Sequence, residues 1–204
     1  MSVLSGLEWL AVDFETTGWS SDDRTAILEI GCIEGRGDEI VSEWSTLVQP
    51  GHPVPPDSTA IHGITDAMLV GAPQLAAVAA EVRRLCGDRL LVMHNAAFDL
   101  PFLRRTMAAA GLAPIWNPVL DTLGLARGLF GSGGNTLDEV RQRLGLPLDG
   151  AHRALPDARA TARALIVLAR TWELERGATT PYELAAASLD AIRAGATRPP
   201  APVA

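Results

Sequence analysis

The chain has no lysine, so each of its 17 fixed cations is an arginine. Any cationic side chain that meets a phosphate must therefore be a planar, bidentate guanidinium. Cysteine is almost absent: Cys32 and Cys86 are the only two, one in an apolar run and one at the end of a helical pattern. Their spacing matches no zinc site and they are read as buried thiols, as a reducing cytoplasm would keep them. No apolar run approaches the roughly 20 residues that span a bilayer. Met1–Glu8 has neither a basic start nor a long apolar core, so no secretory signal is expected and the expected location is cytoplasmic. There are no internal repeats. Basic charge is in deficit, with a net charge of −7. That balance argues against a passive nucleic-acid binder, which usually shows a basic patch. It leaves open an enzyme whose metal ions offset its own carboxylates.

What is present suits a globular domain: 204 residues, 48% of them hydrophobic and 20% charged. Three β-like runs come first, Glu8–Glu15, Ala26–Glu34 and Glu39–Val48, joined by polar or glycine-bearing turns that predict an antiparallel meander. Gln49–Thr59 holds four prolines and reads as a loop. Helical patterns follow over Thr65–Leu69, Pro73–Cys86 and from Asn95, a fair N-cap, to about Ala110, with a short strand at Leu90–Met93. Pro118–Asp121 predicts a strand. Thr122–Phe130 and Thr136–Leu144 predict helices split by a flexible Gly131-Ser132-Gly133-Gly134. Pro156–Glu175 predicts a long helix with proline in its first turn. Residues 1–176 are expected to form the main domain. Residues 177–204 would add a helix over Pro181–Arg193 and a disordered, proline-rich tail that can serve as a partner-binding element. Trp9, Trp44, Trp116 and Trp172 read as packing residues; exposure of Trp19 near the site is the less favoured reading of that residue.

The chemistry concentrates in acids at special places. Asp13 and Glu15 end the first apolar run, on one face of a strand and about 7 Å apart along it. Two such charges repel by about 2 kcal/mol at an effective dielectric near 20, which calls for a counter-charge. A hard divalent cation suits oxygen ligands. Asp99 and Asp157 each fall in the first turn of an expected helix, where the helix dipole favours an ionised carboxylate. Four such groups can hold two divalent ions about 4 Å apart for in-line displacement at a phosphate. His152, on the loop entering the last of these helices, is placed to act as general base. Glu29 reads as a structural hydrogen-bond or salt-bridge partner, Asp121 as a cap or support, His94 as structural, and Arg153, Arg159 and Arg163 as mostly a solvated face.

Four segments in order, D-F-E-T-T-G (Asp13–Gly18), I-H-G-I-T (Ile61–Thr65), H-N-A-A-F-D (His94–Asp99) and H-x4-D (His152–Asp157), resemble the DEDDh 3′–5′ exonucleases, which include the proofreading epsilon subunit of bacterial DNA polymerase III. The resemblance spans about Leu7 to Arg170. It implies an α/β, ribonuclease H-like fold with a five-stranded mixed sheet flanked by helices, and Mg²⁺ or Mn²⁺ as cofactor. It implies Asp13, Glu15, Asp99 and Asp157 as metal ligands and His152 as base. It also places Thr16, Thr17, His62, Phe98 and Phe102 at the terminal nucleotide, where stacking on rings tolerates any base. The expected reaction is hydrolysis of single-stranded DNA 3′ ends to nucleoside 5′-monophosphates. RNA trimming or oligoribonucleotide degradation is the alternative, and a non-catalytic polymerase-associated module is a third reading. Two departures, Met93 before His94-Asn95 and Pro156 before the last acid, leave the ligands intact; Met93 is expected to reshape the pocket wall.

Overall fold

The computed structural model describes residues 2–18, 25–147, 150 and 152–196, with side chains up to 193. The expectations for Trp19 and for the tail past 196 lie outside the described residues. In chain order the elements are β1 (Glu8–Thr16), β2 (Ile27–Arg36), β3 (Glu39–Leu47), α1 (Pro56–His62), α2 (Asp66–Leu69), α3 (Leu75–Cys86), β4 (Leu90–Met93), α4 (Ala96–Ala109), β5 (Val119–Asp121), α5 (Thr122–Phe130), α6 (Leu137–Arg143), α7 (Ala154–Arg176) and α8 (Pro181–Ala196).

The sheet runs β3-β2-β1-β4-β5. β1 pairs antiparallel with β2, and β2 with β3, which is the expected meander, whereas β4 and β5 add in parallel on the other side. β1 is central, so both of its faces are covered and its period of two divides the core. Trp9 and Ala11 pack with residues of α5, α7 and α8. Leu10, Val12 and Phe14 pack with residues of α3 and α4. By the same alternation Asp13 and Glu15 belong to the α7 face, past Ala11, where the pairing of β1 with β4 ends. Burial of these two clusters, at about 25 cal/mol per Å² of apolar surface, is the main force that sets the helices against the sheet.

Two glycines fit that packing. Gly31 of β2 lies opposite Asp13, and a Cβ there would overlap the Ala154 carbonyl, so glycine lets the start of α7 press onto the sheet beside the acids. A Cβ at Gly124 in α5 would overlap the Ser188 carbonyl of α8. Leu184 and Ser188 are fully buried, and the Ser188 hydroxyl accepts the Asp121 N–H at 3.2 Å. The helix expected as an appendage thus shares the core of the domain.

Four local expectations are corrected. α1 begins at Pro56, inside the stretch read as loop: a proline in the first turn lacks only an N–H that the helix does not use. Asn95 occupies the N-cap position of α4 but has φ 70° and makes no capping bond. The glycine-rich link is tied down: the Asn135 amide donates to the carbonyls of Gly131 (2.7 Å) and Gly133 (3.1 Å), and Arg143 donates to the Gly134 carbonyl (3.0 Å). Trp116 does not pack; it is 83% exposed. Cys32 and Cys86 are buried free thiols. No helix among the described residues is long and apolar enough to cross a membrane.

Candidate active site: a carboxylate cage at the sheet end

The end of β1 opens into a cavity of about 180 Å³ lined by Asp13, Glu15, Thr16, His62, His94, Asn95, Phe98, Asp99, His152 and Asp157, among others. Carboxylate oxygens of Asp13, Glu15 and Asp157 all lie within 4.8 Å of one another. Asp99 comes from α4, on the other face of the sheet. It is 4% exposed, and the Phe14 backbone N–H lowers its pKa against the larger effect of burial. Burial first, and then mutual repulsion, holds the Asp13 carboxyl well above its usual range, with Asp99 the strongest of the repelling charges. The same causes push Glu15 up to about 8, its repulsion coming from Asp157 and Glu29. Burial also raises Asp99 and Asp157. An all-oxygen set this crowded holds protons at neutral pH unless a cation replaces them. The donor chemistry therefore fits divalent metal.

Asp157 is positioned through the start of α7. The Arg153 N-cap position has no side-chain cap of its own. Instead Glu29, from β2, accepts the Ala154 N–H at 3.0 Å and two bonds from the Arg153 guanidinium at 2.8 and 2.6 Å. Arg153, one of the arginines assigned to a solvated face, is thus engaged in the site's support. His152 is exposed, has φ 61°, and donates its backbone N–H to Asp157 Oδ2 at 2.9 Å. Behind Asp157 lies Arg141, only 1% exposed. Its guanidinium donates twice to the Pro147 carbonyl, at 2.9 and 2.6 Å, and reaches Asp138 at 3.2 Å and Asp157 at 3.8 Å. One arginine so ties both ends of the segment that carries His152.

Asp99 is positioned through the start of α4. Asp121, at the end of β5, accepts the N–H groups of Asn95 and Ala96 at 2.9 Å each and that of Leu123 at 3.0 Å, capping α4 and α5 together. His94 faces the Thr122 hydroxyl (2.9 Å) and the Asn135 carbonyl (3.0 Å). The carbonyl can only accept, so Nε2 carries the proton. Burial lowers the His94 pKa, in keeping with a neutral ring.

The residues expected at the terminal nucleotide divide. Thr16, His62 and Phe98 line the cavity. The Thr16 hydroxyl donates to the Gly18 carbonyl at 2.7 Å, and His62 Nδ1 accepts the Ile64 N–H at 3.0 Å. Burial lowers the His62 pKa. Thr17 faces inward: its hydroxyl accepts the Ala26 N–H (2.9 Å) and its carbonyl accepts from Ser58 (2.8 Å). Phe102 is fully buried and supports Phe98, their ring centroids 5.2 Å apart. Met93 is also fully buried, packed in the core away from the cavity lining. Sequence reasoning missed Ser58, Ile61 and Arg141. Ile61 falls within a motif and could have been found there; a buried arginine among the charges of an amphipathic helix carries no local signal.

Comparison with known proteins bears on this arrangement. A family model described as an exonuclease matches residues 10–165. The chain is 40% identical over 182 residues to a DNA polymerase III subunit epsilon-like protein of Rhodobacter capsulatus, covering 87% of this chain and 26% of that protein. It is 38% identical over 159 residues to the PolC-type DNA polymerase III of Clostridium perfringens, covering 78% and 11%. It thus spans about a quarter or less of these relatives. Among solved structures, exonuclease X in complex with 5′-overhanging duplex DNA superposes with a TM-score of 0.70 at 28% identity, covering 88% of this chain and 99% of that one. E. coli exonuclease I in complex with a dA16 oligonucleotide gives 0.70 at 19% identity, covering 88% and 42%, a likeness of fold. The chain belongs to the 3′–5′ exonuclease family, on a ribonuclease H-like fold.

Proposed function

We propose that this chain hydrolyses single-stranded DNA from the 3′ end, releasing nucleoside 5′-monophosphates, with two Mg²⁺ or Mn²⁺ ions as cofactors. The observation that carries the reading is the cluster of Asp13, Glu15 and Asp157 oxygens within 4.8 Å, with Asp99 buried beside it. These four carboxylates hold the ions, which when bound offset charge on the scissile phosphate and on the leaving 3′ oxygen. His152, exposed at the cavity rim, takes the proton of the attacking water and passes it to solvent. The backbone bond from His152 to Asp157 keeps base and cage in register. Phe98, with Phe102 behind it, offers a ring face to the terminal sugar or base, and Thr16 and His62 line the same cavity. The relatives' names favour DNA and a cytoplasmic polymerase assembly as the setting.

The test is degradation of 3′-labelled and 5′-labelled single-stranded DNA and RNA with Mg²⁺, Mn²⁺ or EDTA. Metal-dependent release of mononucleotides from the DNA 3′ end is expected, with Asp13→Ala inactive. Faster turnover of RNA would reassign the substrate, and full activity in Asp13→Ala would overturn the site.

A further inference from the structure

A second, more open groove of about 600 Å³ adjoins the cage. Its lining includes His94 and Asn95, which also line the carboxylate cavity, so the two spaces share a wall. The lining also includes Arg127 of α5, Leu137 of α6 and Ser132, Gly134, Asn135 and Thr136 between those helices. We propose that this groove holds the nucleic-acid strand on the 5′ side of the terminal nucleotide, with Arg127 as ligand of a backbone phosphate. The inference rests on the exonuclease reading and extends it from the reacting nucleotide to the strand behind it.

The argument begins with where the positive charge goes. A polyanion must approach a chain of net charge −7, and most described arginines are already engaged. Salt bridges hold Arg36, Arg84, Arg89, Arg141, Arg153, Arg159 and Arg193. Arg83, Arg105, Arg143 and Arg176 bond to backbone carbonyls. Among the described residues Arg104, Arg127, Arg163 and Arg170 are left without either. Of those four, Arg127 lines the space that adjoins the cage. Its Nε is buried without a hydrogen-bond partner, so that nitrogen is closed to a ligand and a phosphate contact falls to the terminal guanidinium nitrogens. A phosphate meets those two nitrogens with the geometry a guanidinium prefers.

The groove is also built to keep its shape. His94 bonds the Asn135 carbonyl, Asn135 bonds two glycine carbonyls, and Arg143 bonds both the Asn135 side chain (2.9 Å) and the Gly134 carbonyl. Glu139, the acid in the lining, is turned into the cap of α6, accepting the Thr136 N–H and hydroxyl at 2.8 Å each. Asn95 presents an exposed side chain that makes no cap bond, at the rim common to both spaces. Leu123 and Leu137 give apolar surface for a sugar or base. A strand whose 3′ end enters the cage thus has an open, preorganised exit past Asn95 toward one unpaired cation.

The test compares wild type, Arg127→Gln and Arg127→Lys on two kinds of substrate with Mn²⁺. The p-nitrophenyl ester of thymidine 5′-monophosphate occupies the reacting position alone. Oligothymidylates of two to eight residues extend progressively into the groove. Arg127→Gln is expected to raise KM about tenfold on the longer oligomers with kcat little changed. The ester should lose less than about twofold, with Arg127→Lys in between. The slope of log KM against log salt should fall by about 0.7 for the longer oligomers, the loss of one single-strand phosphate contact. Equal losses on ester and oligomer would mark Arg127 as structural, and no loss at any length would remove it from the substrate path; either result overturns the proposal. A wild type inactive on both substrates would instead overturn the exonuclease reading, and this inference with it.

Discussion

The starts of α4 and α7 solve one problem in two ways. Each helix carries a cage carboxylate in its first turn, Asp99 or Asp157, and neither is capped by its own N-cap side chain. Each begins instead under a carboxylate from the sheet. At α4 that group is Asp121, 3% exposed, its oxygens filled by three backbone N–H groups. At α7 it is Glu29, shared between one backbone N–H and the guanidinium of Arg153, whose side chain is 38% exposed. At the α4 corner the capping carboxylate and Asp99 are both buried. The α7 corner is partly wet, backed by an ion pair, and carries His152. The division suits the proposed chemistry, in which a ligand needs a fixed position and a general base must exchange its proton with water.

The largest test acts where the corners meet. Asp13→Asn should lower exonuclease activity by about 1,000-fold or more, since the charge that holds metal is gone. The same change should raise the melting temperature of the metal-free protein, because it removes a partly buried carboxylate whose ionised form is desolvated and repelled. Asp99→Asn and Asp157→Asn should behave alike in assay, with the greater stabilisation from Asp99→Asn at the α4 corner; the reverse order in thermal melts would break the contrast. His152→Ala should lower kcat about 100- to 1,000-fold with an unchanged melting temperature, because the side chain is exposed.

Next come the two caps. Asp121→Ala strands three N–H groups and should cost about 3 kcal/mol by denaturant titration. Glu29→Ala strands one N–H and frees an arginine that reaches solvent, and should cost about 1–2 kcal/mol. It should nevertheless reduce kcat more than Asp121→Ala does, if the α7 corner is the adjustable one. Gly31→Ala sharpens the same point by forcing Ala154 off the sheet, with activity falling further than stability.

The last test is that of pH. Glu15 has an ordinary value of 4.5, raised to about 8 by folding, so the native metal-free protein binds more protons than the unfolded chain between those values. Its stability should therefore fall as pH rises through that window. Metal displaces the protons, so the thermal shift from added Mg²⁺ should be larger at pH 8 than at pH 6. A larger shift at pH 6 would mean the cage is not protonated when empty.

Much of this was legible in the chain. Strand and helix positions follow from apolar periods of two and 3.6, and the meander from short polar turns between runs of β pattern. The acids stood out because charge at the end of a core strand, or in a first turn, is locally conspicuous. Other features were illegible for a physical reason. Asn95 looked like a cap because cap preference is a local rule, yet the capping oxygens come from Asp121, 26 residues away. The Gly131–Gly134 link looked flexible by composition, and the side chains of Asn135 and Arg143 tie it. Phe102 and Thr17 looked like substrate contacts because positions in and beside the motifs face both into and away from the cavity.

What the sequence determined by itself is the chemistry: which groups bear charge, which segments are strands and helices, and that four acids and a histidine sit at element ends. Local alternation and propensity suffice for that, because they act over a few residues. Only the tertiary structure decided how the acids converge, which carboxylate caps which helix, that Arg141 is buried behind Asp157, and that Arg127 overlooks an adjoining groove. Those outcomes depend on close approach between segments far apart in sequence, set by sheet order and by the two core clusters, and no local window of the chain contains them.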